Sequence, residues 1–321
     1  MKSLLSLPVL ALLASIVTAV PAIAQDAYPS RPIRFVLPYA VGGAADALAR
    51  AIAEELRERL GQTVIVDSRP GANSMLGAEM VARSAPDGYT ILYLGWSTIS
   101  TNLVMFKKVT YKLEDFQPIT TFYRTPVGLT VRKDLPVANL KELIEYAKSK
   151  GSLAFGTAGI GSSPHMLLER INRLQGTKFE HVAYRGEAPA VADVLGGHIP
   201  MFVGSVATPG EHIKSGALKL ISVSSAERLT TFPNVPTFKE QGIDISFSFW
   251  HGIAAPAGTP RPIIEKLHAA IVAALGTQRV KNVLTPDQVV TTLSPEAFTD
   301  LIKQDIVTWG PIIRDANLVV E

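Results

Sequence analysis

Apolar and polar side chains alternate along the chain in two distinct rhythms, short continuous apolar runs and longer segments in which apolar residues return every third or fourth position. Residues 33–38 (IRFVLP) form the first apolar run and predict a buried strand. A turn, YAVGGAAD, follows, and then Leu48, Ile52, Leu56 and Leu60 recur at the spacing of one helix face. Residues 64–66 predict a second strand, 74–85 a helix, and 89–94 a third strand bounded by Asp87-Gly88 and Gly95. The order strand, helix, strand, helix, strand predicts a parallel sheet with helices on both faces and right-handed crossovers.

Residues 97–135 are less regular, and the rhythm then resumes. A helix is predicted over 140–150, a strand over 153–156, a glycine turn, a helix over 164–174, a strand over 180–184 and a helix over 188–196. Strands over 201–203 and 218–223, a proline-rich PNVPTF, a strand near 245–250 and helices over 262–275 and 295–313 complete the pattern. The last two helices have no sheet of their own, so the chain is expected to return to the first one. The predicted fold is α/β, with two α/β lobes, a double crossover hinge and a central ligand cleft. One lobe comprises residues 25–124 with 247–321, and the other residues 125–246.

The first 24 residues change the picture of location. Lys2 gives a positive start, residues 4–20 are almost unbroken apolar sequence, and Ala22-Ile23-Ala24 has the small-x-small pattern of a cleavage site. A signal peptide cleaved after Ala24 is expected, with the mature protein in the periplasm; the apolar run is short for a membrane anchor. The remaining composition excludes several classes. Hydrophobic residues make up 47% of the 321 and charged residues 18%, which favours folded cores over disorder. The 31 basic and 28 acidic side chains are scattered, so no basic block tracks a nucleic acid backbone. The absence of cysteine rules out disulfides, thiolate nucleophiles and thiolate-bound zinc.

The candidate chemistry lies in two glycine turns, residues 39–46 and 156–165, each leading from a predicted strand into a predicted helix. Glycines let backbone amides approach a ligand, and free amides at a helix start carry partial positive charge, so each turn suits an anion. Gly156 and Gly161 have the G-x-x-x-x-G spacing of a phosphate loop, but Ser162-Ser163 follow where a lysine is required. Gly159 and Gly161 are followed by Pro164 where a dinucleotide fingerprint needs a third glycine, so ATP and NAD are disfavoured and no cofactor is expected. Pro164 suits the first helical position with Ser163 as its cap. Neither turn contains Lys or Arg, so an anion would be held by amides, by hydroxyls such as Thr157, Ser162 and Ser163, and by water.

YPSRPIRFVLPYAVGGAAD, APDGYTIL, GTAGIGSSPH, HVAYRGEAPAVADVLGGHI, PNVPTFKEQG and FWHGIAAPAGTP together resemble the substrate-binding receptors of tripartite tricarboxylate transporters, also called Bug receptors. The resemblance spans the whole mature chain and implies a fold like a type II periplasmic binding protein. It implies a small carboxylate as ligand, aliphatic or aromatic, and delivery to a two-component integral membrane permease. The turns are then expected to face the cleft, with Gly42, Gly43 and Asp46 on one side and Thr157, Ala158, Gly159, Ser162 and His165 on the other. Ser97 and Thr98 at one strand end, and Tyr184, Gly204 and Ser205 in the other lobe, are expected to complete the wall. Tyr39 stands where the family usually has Phe, Val41 where Pro is frequent, and Trp96 in a variable place; Tyr39 and Trp96 either flank an aromatic acid or pack the strand ends.

The other readings are weaker. No two of the six histidines lie within ten residues of each other, so no helical metal pair exists, although His165 remains a candidate hydrogen-bonding group at the cleft. Asp46 either recognises a ligand hydroxyl or amino group or sits in the first helical turn, where a carboxylate is favourable. No G-x-S-x-G occurs and no catalytic residue is expected, so an enzyme acting on a carboxylate is the less favoured alternative. A monomeric receptor is expected, and presentation of the closed form to a membrane sensor is the alternative to transport.

Overall fold

The computed structural model describes residues 28–319, which form two sheets. The expected signal peptide and its cleavage after Ala24 lie outside the described residues.

β1 (Ile33–Leu37), α1 (Ala44–Leu60), β2 (Val64–Ser68), α2 (Met75–Ala82) and β3 (Thr90–Gly95) follow one another, and β1 pairs in parallel with both β2 and β3. In α1, Leu48, Ile52 and Leu56 stack on one face and are buried, each adding about 1.5–3 kcal/mol of hydrophobic stabilisation. The helix stops at Gly61, whose φ of 70° closes it in the left-handed conformation while its N–H bonds Arg57 O.

The region without a clear period holds the main departure from expectation. It forms two short helices, α3 (Trp96–Ser100) and α4 (Asn102–Met105), and then two strands, β4 (Phe116–Pro126) and β5 (Gly128–Arg132). β4 is buried at nearly every position, so it shows no alternation, and its buried Thr120, Thr121 and Thr125 break up the apolar signal. With two strands from later in the chain, β10 (Ser248–Pro256) and β11 (Val289–Val290), the first sheet is therefore mixed rather than purely parallel, in the order β11-β4-β10-β3-β1-β2.

α5 (Leu140–Lys150), β6 (Leu153–Thr157), α6 (Ser163–Gln175), β7 (Phe179–Ala183), α7 (Glu187–Leu195), β8 (Met201–Gly204), α8 (Gly210–Lys214) and β9 (Leu218–Val223) build the second lobe around a sheet in the order β7-β6-β8-β5-β9. β6 runs parallel to β7 and β8, while β5 is antiparallel to β8 and β9. β10 (Ser248–Pro256) then returns to the first sheet, antiparallel to both β3 and β4. α9 (Arg261–Leu275), α10 (Gln278–Lys281), β11 (Val289–Val290) and α11 (Pro295–Asp315) follow; α9 packs on α1 and β4, and α11 on β4 and α6.

The chain thus passes between the sheets twice, and buried Ser224 ties the two passages together. Its hydroxyl accepts the Val127 N–H at 2.8 Å and donates to Phe247 O at 2.6 Å. Its backbone also bonds Val127 O at 2.9 Å and the Phe247 N–H at 2.7 Å.

Candidate ligand-binding site

The first glycine turn connects β1 to α1. Gly42 adopts φ 89°, and the helix begins behind Gly43 with no side-chain cap among the described residues. The first-turn amides of Ala44 and Ala45 therefore have no intrahelical acceptor. Asp46 is 5% exposed; it accepts the Gly42 N–H at 3.0 Å and pairs with Arg50 at 3.0 Å. The hydrogen bond from Arg50 is the main reason its carboxyl titrates below the usual range. Asp46 thus braces the turn from the first turn of α1. Val41, Gly42 and Gly43 are exposed at the tip.

Tyr39 lies at the base of this turn. Its carbonyl accepts Ser68 Oγ at 2.6 Å, and its ring stands edge-on to Tyr93 with centroids 5.7 Å apart. Its hydroxyl bonds the Thr98 side chain and occupies the space that a side chain at Gly95 would need. Burial pushes its pKa up to about 12, so it is a neutral group able to donate.

Trp96 does not join it. The indole is 2% exposed, edge-on to Phe247 and Trp309, and its N–H donates to Asp305 Oδ2 at 3.1 Å. Trp250 donates to the same oxygen at 2.8 Å, and burial pushes the Asp305 carboxyl up to about 6. The possibility that Trp96 flanks an aromatic ligand is corrected accordingly: its donor is already satisfied and its ring fills the core. Thr98 is fully buried, bonding Ser74 Oγ at 2.7 Å, while Ser97 at the start of α3 remains partly accessible.

Two features were missed from the sequence. Ala72, Asn73 and Ser74 adopt φ of 45°, 51° and 70° in succession, a run that costs non-glycine residues free energy and that marks functional loops. Asn73 Nδ2 donates to Asn102 Oδ1 and Asn102 Nδ2 to Asn73 O, both at 2.8 Å, which holds the run against α4. The turn-forming Pro70-Gly71-Ala72-Asn73 is its signal in the sequence. The second is His251, stacked on Tyr123 at 5.1 Å and within 6.0 Å of Tyr39. Burial pushes its pKa down to about 4, and its Nδ1 has no hydrogen-bond partner among the described residues.

The second turn is built around Thr157 Oγ1, which lies 3.1 Å from Gly159 O and 2.7 Å from His181 Nε2. The same oxygen accepts the Gly159 N–H and Ser162 Oγ, each at 3.2 Å. The Gly161 N–H donates to His165 Nδ1 at 3.1 Å, and the rings of His165 and His181 stack 3.7 Å apart. His165 therefore shapes the turn as an acceptor. Burial, and then His165, push the His181 pKa down to about 3, so the stacked imidazole is neutral.

α6 begins at Ser163, one residue earlier than expected, and Ser162 takes the cap position, where Ser163 was expected. The Ser162 hydroxyl turns back to Gly159 O at 2.8 Å instead of capping, which leaves the Ser163 and His165 amides without an intrahelical acceptor. Ala158 is exposed beside them.

This turn meets the opposite lobe. Gly161 O accepts Thr101 Oγ1 at 3.4 Å, and a Cβ at Gly161, whose φ is 73°, would lie 2.6 Å from Met105 Sδ. The other expected wall residues are engaged elsewhere. Tyr184 donates to Asp193 at 2.6 Å, and Ser205 Oγ to buried Asp287 of the first lobe at 2.9 Å. A side chain at Gly204 would collide with Phe202 and Glu187. The turns thus combine uncapped helix amides with neutral hydroxyls, suited to holding an anion without a basic side chain. No group of three metal-ligating side chains occurs among the described residues.

A family model described as tripartite tricarboxylate transporter family receptor matches residues 48–318. The BugT protein of Bordetella pertussis is 33% identical over 300 residues, covering 92% of this chain and 92% of that protein. Among solved structures, a TctC solute-binding protein from Polaromonas without ligand is similar with a TM-score of 0.79 and 33% identity, over 90% of this chain and 99% of that one. MatC from Rhodopseudomonas palustris with bound malate gives a TM-score of 0.75 and 30% identity, over 89% and 100%. Another R. palustris protein, with adipate, gives 0.78 and 28%, over 90% and 98%.

Proposed function

The chain belongs to the tripartite tricarboxylate transporter receptor family, and from that premise we propose that it captures a small dicarboxylate between its lobes and delivers it to a two-component integral membrane permease. The observation that carries this reading is the matched pair of strand, glycine turn and uncapped helix, one in each sheet. Such a pair offers one carboxylate partial positive charge from both sides. The two similar structures with ligand hold malate and adipate, both dicarboxylates, which supports the choice of ligand class.

The lobes divide near residues 125 and 246. The ligand first rests on one lobe, and the other closes because its amides reach the ligand only in the closed form. The Ala44, Ala45, Ser163 and His165 amides provide the grip. Binding rather than turnover is the function, and the mature protein works in the periplasm.

Titration calorimetry and thermal shift against malate, adipate, a tricarboxylate and an aromatic acid test the reading. A ligand at about 100 times its Kd is expected to add roughly 2.7 kcal/mol of stability. Failure of every carboxylate to bind, or turnover of any of them, overturns it.

A further inference from the structure

We infer that Asp287 is the positioning residue for closure: seated on Ser205 and Val206 of the opposite lobe, it latches the two lobes together and slows escape of the ligand. The inference rests on the receptor reading above and names the residue that sets how firmly that receptor shuts.

Asp287 stands just ahead of β11, whose Val289 and Val290 pair with Arg124 and Tyr123 of β4, so the first sheet carries it. Thr285 Oγ1 of its own loop donates to Oδ1 at 2.6 Å. Oδ2 turns to the second lobe instead, accepting Ser205 Oγ at 2.9 Å and the Val206 N–H at 3.2 Å. The carboxylate is 2% exposed, and these partners are all neutral. A buried carboxylate held by neutral donors depends on each of them, so the lobes part only as water replaces the two donors on Oδ2.

The seat on the second lobe is built without help from the first. Glu187, at the start of α7, accepts the Ser205 N–H at 2.9 Å and the Thr208 hydroxyl. Ser205 Oγ accepts the Ala207 N–H at 3.2 Å, which leaves its own proton for Asp287. One hydroxyl and one amide thus meet a carboxylate at the end of β8. The glycine turn at the end of β6 offers donors of the same kind, and β6 pairs with β8. The second lobe therefore holds two carboxylates in the closed form, the ligand's and that of Asp287, and both demand the same placement of the lobes. Each favours the other, because whatever stabilises the closed form raises affinity for a ligand that prefers it. The Arg173–Asp315 ion pair also crosses between the lobes, at 2.6 Å, but both side chains are about half exposed, where such a pair contributes little. Ser205, expected from the sequence in the ligand wall, is thereby assigned to the latch.

The test uses the full-length protein. The chain has no cysteine, so Thr63→Cys and Lys148→Cys, at exposed positions of opposite lobes, are the sole sites for spin labels. Pulsed double electron resonance then measures the interlobe distance with saturating malate or adipate, whichever the unsubstituted protein binds more tightly. Asp287→Ala is expected to spread the loaded protein's short distance toward longer ones, to raise the dissociation rate about tenfold and to leave association within about threefold. Ser205→Ala, which keeps the Val206 amide, should act in the same direction to a smaller extent, and it carries the test if Asp287→Ala does not fold. The double variant should lose no more affinity than Asp287→Ala alone, since both residues act through one contact. Unchanged distances and dissociation rates, or losses that add, overturn the latch and leave the receptor reading intact. Slower association with the loaded distance unchanged identifies these residues as ligand contacts and also overturns it. Failure of the unsubstituted protein to bind either acid in calorimetry removes the receptor reading, and the latch with it.

Discussion

At the start of α1 the glycine turn stands in solvent, with Val41 66% exposed and one carboxylate, Asp46, bracing it from within the helix. At the start of α6 the corresponding turn also carries exposed residues, Ala158 and Ile160, but it is cross-braced by Thr157, Ser162, His165 and His181. Both leave helix amides without an intrahelical acceptor, but the second is held by more side chains of its own lobe than the first, which has Asp46 and Ser68. Such fixing lowers the ordering cost of binding. The contrast assigns the rigid half of the carboxylate grip to the second lobe and the adaptable half to the first.

The strongest way to break this contrast is Gly161→Val. The left-handed φ of 73° costs a residue with a Cβ about 1–2 kcal/mol, and Met105 must move as well. Carboxylate affinity is expected to fall about 30- to 100-fold by calorimetry, since each 1.4 kcal/mol is about tenfold. Affinity within threefold of the starting protein would mean that the second turn does not hold the ligand. Thr157→Val comes next, because one oxygen serves four partners there. Unpaired groups left behind cost about 1–3 kcal/mol, measurable as a shift in the urea midpoint, with about a tenfold loss of affinity. Ser68→Ala, which removes one bond to Tyr39 O in the first lobe, should cost less than Thr157→Val; an equal cost would erase the difference between the turns.

Much of this was legible in the sequence because strand, glycine turn and helix are local patterns. The spacing of Leu48, Ile52 and Leu56 marks the buried face of α1, and Pro164 marks the start of α6 to within one residue. The hinge strand β4 was not legible, because burial on both faces removes alternation and threonines interrupt its apolar run. The stacking of His165 on His181 was equally hidden, since the two rings come from separate elements, α6 and β7. Nor does residue type reveal direction: Trp96 at a strand end reads the same whether it faces the cleft or, as here, Asp305.

Acid should separate the turns by a smaller amount. The His181 pKa is depressed to about 3 in the folded protein, so the unfolded chain takes up this proton first. The corresponding stability is fully present above about pH 6.5 and is lost as pH falls toward 3. The loss is about 1–2 kcal/mol at pH 5 after discounting for solvent screening of a partly exposed ring. His181→Gln should flatten the urea-derived stability profile between pH 6.5 and 4 relative to the parent. In the first turn the pKa of Asp46 is lowered from 3.8, so its contribution persists above that value and disappears only as pH falls through the lower folded pKa. Asp46→Asn is expected to cost about 0.5–1 kcal/mol at pH 7 and a few-fold in affinity. A larger acid effect in the first turn than in the second would reverse the comparison.

The smallest effect tests whether the first lobe contributes an aromatic platform at all. Trp96→Phe removes the indole donor to Asp305 while keeping a ring against Phe247 and Trp309, so stability should fall by about 1 kcal/mol. That donor favours the charged carboxylate, so its loss should also raise the Asp305 pKa beyond its value of about 6. Because the indole faces inward, the ratio of affinities for an aromatic acid and for malate should not change. A selective loss of the aromatic acid would show that the indole reaches the ligand, and the adaptable side of the grip would then extend past the first turn to the end of β3.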